Sequence, residues 1–347
     1  MAEQRPSYRN SQYLLTAASL VIVIGGLKLA APIILPVLMA MLVALVAMHP
    51  IRGLQRRGLP TWLALTLIMV GASLALLFVI GVVGASITKF TAQLPEYRVR
   101  LDSLIADGFR VLRDMGADVA PVTLSKSLDS GRIMNLVGDT ATGVLALLSS
   151  VLLVLLIVIF ILLEANGFSA KLRKAMGDRD ADLGEWTRAA DRVYQYLFIK
   201  SVISAGTGVL VSLLTWLGGV DFPLLWGMVA FMFNFVPNIG SIIAAVPAVL
   251  LALLLNGVVN AAIIGAGYFV INMVIGNAIE PKIMGEKLGL STLVVFLSLV
   301  FWGWLWGPAG MLLSVPLTVI VKIVLEHSEQ FRFVAILLGP SPTDRET

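Results

Sequence analysis

Three short clusters, two polar and one of glycine and proline, interrupt the apolar carboxyl half of this chain. The first comprises Asn234, Pro237, Asn238 and Gly240. Proline removes a backbone amide and collides with the preceding turn, while glycine relaxes the chain, so a helix opens there. Opened carbonyls can receive a cation, freed amides an anion, and the asparagine side chains both donate and accept. That chemistry is solute or ion binding; a plain kink or a turn between two spans is the alternative. The second cluster is Asn272, Asn277 and Glu280. Asn277 and Glu280 are three residues apart and would share a helical face, and Pro281 is expected to end the helix. An acid in a membrane segment is a functional suspect, here for substrate contact or for binding a proton or cation. Lys282 is two residues on, so a place at the membrane interface is the alternative. The third cluster is Gly307-Pro308-Ala309-Gly310, from which Pro308 and Gly310 would join the substrate site. Asp221, just before Phe222 and Pro223, reads as a helix N-cap, and with Glu280 it is the second carboxylate able to couple an ion.

Several chemistries have no residues to carry them. The chain has no cysteine, and its two histidines, His49 and His327, lie far apart. It contains no phosphate-binding G-x-x-x-x-G-K-[ST], no H-E-x-x-H and no G-x-S-x-G. We expect no enzyme, no metal and no cofactor. Any transport would be passive or driven by an ion gradient, unless a partner supplies energy.

The elements that must hold these clusters are membrane helices. From Phe222 to Ile279 the chain runs 58 residues without a charge, where about 20 apolar residues cross a bilayer. Apolar residues make up 58% and charged ones 13%, with a mean hydropathy of +0.93, against about 45–50% and about 25% in soluble domains. The net charge of +4 reads as an orientation signal at loops, not a nucleic-acid footprint. Hydrophobic runs fall at about 13–31, 33–49, 60–87, 141–163, 197–219, 222–236, 239–256, 257–278, 291–306 and 309–325. The expected fold is all-α: a polytopic integral membrane protein with about eight membrane segments, two of them broken or re-entrant helical hairpins, and a helical extracytoplasmic insertion. Its parts are amino-terminal transmembrane helices (1–87), the amphipathic insertion (88–140), a transmembrane helix (141–164) and an interfacial cytoplasmic loop (165–196). A transmembrane core (197–326) with broken segments 222–256 and 291–325 follows, then a cytoplasmic tail (327–347). Arg5, Arg9, Arg52, Arg56, Arg57 and Lys322 cluster on one side, which places both termini in the cytoplasm.

Within the insertion, Phe90, Leu94, Tyr97, Leu101, Leu104, Leu112 and Met115 recur at helical spacing. The stripe would pack on the membrane domain, or else form a subunit contact or an external gate. Around Lys171, Arg173 and Lys174 an interfacial helix would touch anionic lipid. Trp302, Trp304 and Trp306 suggest an interfacial anchor, with an aromatic cage as the alternative. Gly81-x-x-Gly84 and Gly303-x-x-x-Gly307 would permit close helix packing, and a homo-oligomer is plausible on those faces.

Phe235-Val236-Pro237-Asn238-Ile239-Gly240-Ser241, then Asn277-Ala278-Ile279-Glu280-Pro281-Lys282-Ile283-Met284-Gly285, then Gly307-Pro308-Ala309-Gly310-Met311-Leu312-Leu313-Ser314-Val315-Pro316 occur in order. Together with Ala31-Pro32-Ile33-Ile34-Leu35-Pro36 and the stretch from Leu297 to Trp304, they resemble the autoinducer-2 exporter (AI-2E) family over nearly the whole chain. The resemblance implies a multi-pass permease of the bacterial inner membrane, exporting a small polar solute such as the quorum-sensing signal autoinducer-2. Other members resemble sodium(lithium)/proton antiporters, with Na+ or H+ as partner ion. Asn238, where many members carry tyrosine, places the chain nearer the autoinducer-exporting branch. A non-transporting membrane scaffold acting through 88–140 is the reading from another class. In the transporter reading, 222–256 and 291–325 face one another across a midplane site.

Overall fold

Long runs of leucine, alanine, valine and isoleucine with no polar alternation favour helix over strand, and every regular element among the described residues is helical. The structure, a computed structural model, describes residues 7–115, 131, 134–135, 137–140, 142–143, 151–164, 183–236, 239–284, 289–326, 328 and 331–339. The long helices are α1 (Ser7–Leu29), α2 (Ala31–Arg56), α3 (Thr61–Asp114), α4 (Val151–Glu164) and α5 (Leu183–Leu217). They are followed by α6 (Pro223–Phe233), α7 (Ile239–Asn272), a π-helix (Met273–Ile279) and α8 (Glu280–Met284). The chain closes with α9 (Thr292–Glu326) and α10 (Arg332–Leu337). Among the described residues, five helical stretches are long and apolar enough to cross a membrane: Ala31–Arg56, Thr61–Gly108, Ala190–Leu217, Gly240–Ile279 and Thr292–Glu326. The protein is therefore a multi-pass membrane protein. Two shorter apolar helices, α4 and α6, are also described, and the expected eight segments are not confirmed.

The residues form two compact units. One comprises 49–152 and 195–287. Its core gathers Phe90, Tyr97 and Leu101 of α3 with Leu225, Trp226 and Val229 of α6 and Leu251, Ile264 and Tyr268 of α7. The charged part of α3 continues its apolar part without a break, making one helix of 54 residues. Phe90, Tyr97 and Leu101 are buried along one stripe, while Glu96, Arg98, Arg100 and Asp102 stay exposed. Phe90 meets the rings of Phe222 and Trp226 edge-on at 5.8 and 5.7 Å. Leu112 of the predicted stripe has no described side chain, and Met115 is exposed.

Helix α7 folds back on itself. Gly257 has φ 81° and ψ −176°, a region open in practice to glycine alone. A Cβ on Gly265 would sit 3.8 Å from Val249, a contact impossible along one straight helix. Helices α5 and α6 pack at glycine distance: a Cβ on Gly227 would lie 2.5 Å from the Gly208 carbonyl and 1.8 Å from Ser212 Oγ.

The other unit comprises 1–48, 153–194 and 288–347. There α9 folds back at Gly307 (φ 64°, ψ −148°), where the sequence places its second break. Gly303 faces Met311, and Trp302 Nε1 donates to Thr318 Oγ1 at 3.1 Å. Trp306 Nε1 donates to the Leu27 carbonyl at 3.0 Å, and Lys28 Nζ stands 4.6 Å from the Trp304 ring centre. Trp304 and Trp306 fasten the tip of this hairpin to the end of α1.

Two local expectations are corrected. Asp221 does not cap α6. The N-cap is Phe222 in the left-handed region (φ 59°), with no side-chain cap, and Pro223 opens the helix. The Asp221 carboxylate instead accepts from the Tyr97 hydroxyl at 2.8 Å, and its carbonyl from Trp226 Nε1 at 2.9 Å. Nor does Pro281 end its helix. The π-helix runs directly into α8, with Glu280 itself in helical conformation. The wider i→i+5 turn relieves the clash between a proline ring and the carbonyl four residues back. It also removes the shared face expected of Asn277 and Glu280: Asn277 is exposed while Glu280 is half-buried.

Candidate functional site

Four helical segments of the first unit surround a small cavity. Thr207 and Val211 come from α5, Ala230 and Asn234 from the end of α6, Ser241 and Ala244 from the first arm of α7, and Tyr268 and Asn272 from its second arm. Five of these eight side chains carry a polar group, in a region where apolar packing is the rule. The cavity has about 10 Å³ of room, enough for about one water.

The hydrogen bonds around it are unevenly satisfied. Asn234 ends α6, and its Nδ2 donates to Ser204 Oγ at 3.0 Å. Thr207 donates to the Ile203 carbonyl at 3.0 Å, leaving its oxygen to accept. The Tyr268 side chain is 3% exposed, and its hydroxyl has no hydrogen-bond partner among the described residues. Leaving such a group unpaired costs about 1–3 kcal/mol, and the cavity it lines has room for about one water to receive it. Gly240 holds the turn between α6 and α7 tight, because a Cβ there would lie 1.8 Å from the Phe233 carbonyl.

Outside the cavity lining, the same unit carries a buried charge pair. Lys200 on α5 is 2% exposed, and its Nζ donates to Glu280 Oε1 at 2.5 Å. The Glu280 side chain is 20% exposed.

The structure thus brings together Asn234, Gly240 and Asn272 of the expected site, with Glu280 on the same helical run as Asn272. Pro237 and Asn238 lie outside the described residues. Asn277 is exposed and is not among the lining residues. Asp221 is engaged with Tyr97, away from the cavity. Pro308 and Gly310 belong to the other unit, where a Cβ on Gly310 would meet the Trp302 carbonyl at 2.0 Å. Sequence reasoning missed Lys200, Thr207, Ser241 and Tyr268. A signal existed for Lys200, the single charge in the run 197–219; the other three look like ordinary helix packing.

The geometry is that of a membrane protein with a polar pocket among helices, and comparison with known proteins names its kind. The model of the AI-2E family transporters matches residues 17–330. The chain belongs to the AI-2E transporter family. Among its relatives, the AI-2 transport protein TqsA of Escherichia coli K12 is 39% identical over 320 residues, covering 92% of this chain and 93% of TqsA. YhhT of the same organism is 38% identical over 340 residues, covering 98% and 97%. A Haemophilus influenzae protein is 41% identical over 332 residues, covering 94% and 95%.

Proposed function

We propose that this protein is a secondary transporter of the bacterial inner membrane that exports a small polar solute through the cavity between α5, α6 and the two arms of α7. The observation that carries the reading is the free, buried Tyr268 hydroxyl among Asn234, Asn272, Thr207 and Ser241. Autoinducer-2 is the first solute to test, because TqsA is an AI-2 transport protein and the lining offers amides and hydroxyls suited to a hydroxylated, uncharged molecule. No carboxylate or amine lines the cavity among the described residues, which leaves the antiport of sodium or lithium for protons with less support. Both termini are assigned to the cytoplasm from the basic loop residues.

The broken segment 222–256 fits a re-entrant hairpin. Asn256 Nδ2 donates to the carbonyls of Gly218 and Gly219 at 3.1 Å each, so the α6–α7 hairpin starts and finishes beside the end of α5. Its turn lies level with Ser204, which bonds Asn234. Fourteen residues of α5 separate those levels, about 21 Å at 1.5 Å per residue, whereas the hydrocarbon core is about 30 Å thick. A turn at that depth leaves backbone carbonyls and amides inside the membrane, where a solute path can use them.

Proteoliposomes containing only this protein test the proposal. Autoinducer-2 release that falls sharply in Asn272→Ala and Asn238→Ala supports it. Sodium-dependent pH change without solute release would replace it with antiport, and neither flux from folded protein would refute transport by this chain alone.

A further inference from the structure

The cavity holds about one water, so any organic solute requires a wall to move, and the two ends of the unit are fastened very differently. At the Gly257 end, Asn256 bonds Gly218 and Gly219, and Asn260 Nδ2 bonds the Gly218 carbonyl at 2.7 Å. Close helix contacts reinforce that end: a Cβ on Gly218 would lie 2.5 Å from Ile264, and one on Gly267 would lie 2.5 Å from Leu214. Towards the other end the regular backbone stops. The α6–α7 turn interrupts one wall, and the seven-residue π-helix that follows Asn272 interrupts another. Across that end the ion pair of Lys200 and Glu280 joins α5 to α8. It stands seven residues along α5 from Thr207, about 10 Å, and eight residues beyond Asn272.

We infer that the Lys200–Glu280 pair is the latch of the cavity: it holds α5 against the π-helix and α8, and the solute path opens on that side when the pair parts. The inference rests on the cavity being the solute site. A charge pair suits a latch because it is strong at contact and loses its strength steeply once water enters. The π-helix supplies the give. Its i→i+5 bonds can reset towards α-helical pairing, which would turn and shift Glu280 relative to Tyr268 and Asn272 without disturbing the Gly257 end. Lys200 therefore acts as a positioning residue, through Glu280.

The absence of cysteine allows a direct test in the full-length protein in membranes, one that needs no transported solute. Asn272→Cys serves as an accessibility reporter for a membrane-impermeant maleimide applied to each face in turn. Adding Lys200→Met should raise the labelling rate at least about tenfold from one face only, since breaking a buried pair is strongly destabilising to the closed arrangement. The charge-reversed pair Lys200→Glu with Glu280→Lys should bring the rate back towards that of the reporter alone. Unchanged labelling in protein that remains monodisperse would overturn the latch, as would a rise from both faces or no recovery in the reversed pair. If Lys200→Met does not fold, the reversed pair compared with Lys200→Glu alone decides the matter. Failure of solute flux would leave these rates untouched, so the latch and the transport reading fail separately.

Discussion

Replacing Tyr268 by phenylalanine separates a binding hydroxyl from a structural one. The side chain is 3% exposed, and its hydroxyl has no partner among the described residues. A structural hydroxyl would lose a hydrogen bond on removal, typically about 0.5–1.5 kcal/mol. An unpaired one loses nothing and sheds a desolvation cost of about 1–3 kcal/mol, reduced where a single water reaches it. Tyr268→Phe should therefore melt at or slightly above the wild-type temperature in detergent. If the solute's hydroxyl or carbonyl bonds to Tyr268, the lost interaction of about 0.5–1.5 kcal/mol raises KM for autoinducer-2 flux about two- to twelvefold. The assay pairs a thermal melt with concentration-dependent flux in proteoliposomes. A clear fall in melting temperature with unchanged KM would refute the reasoning, because it would give the hydroxyl a protein partner and no guest.

Gly227→Ala should lower the melting temperature and the yield of folded protein, costing about 1–3 kcal/mol. Its Cβ would fall 1.8 Å from Ser212 Oγ and 2.5 Å from the Gly208 carbonyl, and adding Ser212→Ala should recover only part of the loss in the same melts. Glu280→Leu alone should cost about 3–5 kcal/mol by leaving the Lys200 ammonium buried without its partner. Lys200→Leu combined with Glu280→Leu should cost less than Glu280→Leu, as read from melts of the two single variants and the double. Tyr97→Phe removes the donor to the Asp221 carboxylate and should cost about 1.5–3 kcal/mol, visible as earlier proteolysis at the α5–α6 turn.

Asn234 and Asn272 were legible because an amide in an uncharged apolar run must have its hydrogen bonds received, a signal that Asn256 and Asn260 carry equally. Tyr268 was not, since an aromatic residue in such a run is also what ordinary packing uses, and only the absence of a partner distinguishes it. The hairpin at Gly307 could be read from glycine beside proline. At Gly257, glycine alone marks the point, and the boundary between the runs 239–256 and 257–278 located it. The π-helix left no trace: Met273-Val274-Ile275-Gly276-Asn277-Ala278-Ile279 has the composition of any membrane helix. Its register shift then misplaced Asn277 and the end expected at Pro281. The left-handed Phe222 was equally hidden, because its conformation is held by tertiary contact with the Phe90 ring against its own preference.

The asparagines show why residue type alone does not locate a site. Asn256 and Asn260 flank Gly257 in the sequence Asn256-Gly257-Val258-Val259-Asn260, and both aim their amides at the carboxyl end of α5. A helix end leaves its last carbonyls without partners inside the helix. Where water is scarce those carbonyls must be received by protein. The two amides meet that demand at Gly218 and Gly219, so they serve the fold. Asn272 stands on the same arm as Asn260, at the carboxyl end of α7, and lines the cavity with Asn234, the C-cap of α6. Residue type alone therefore does not separate an amide that serves the fold from one that lines the cavity.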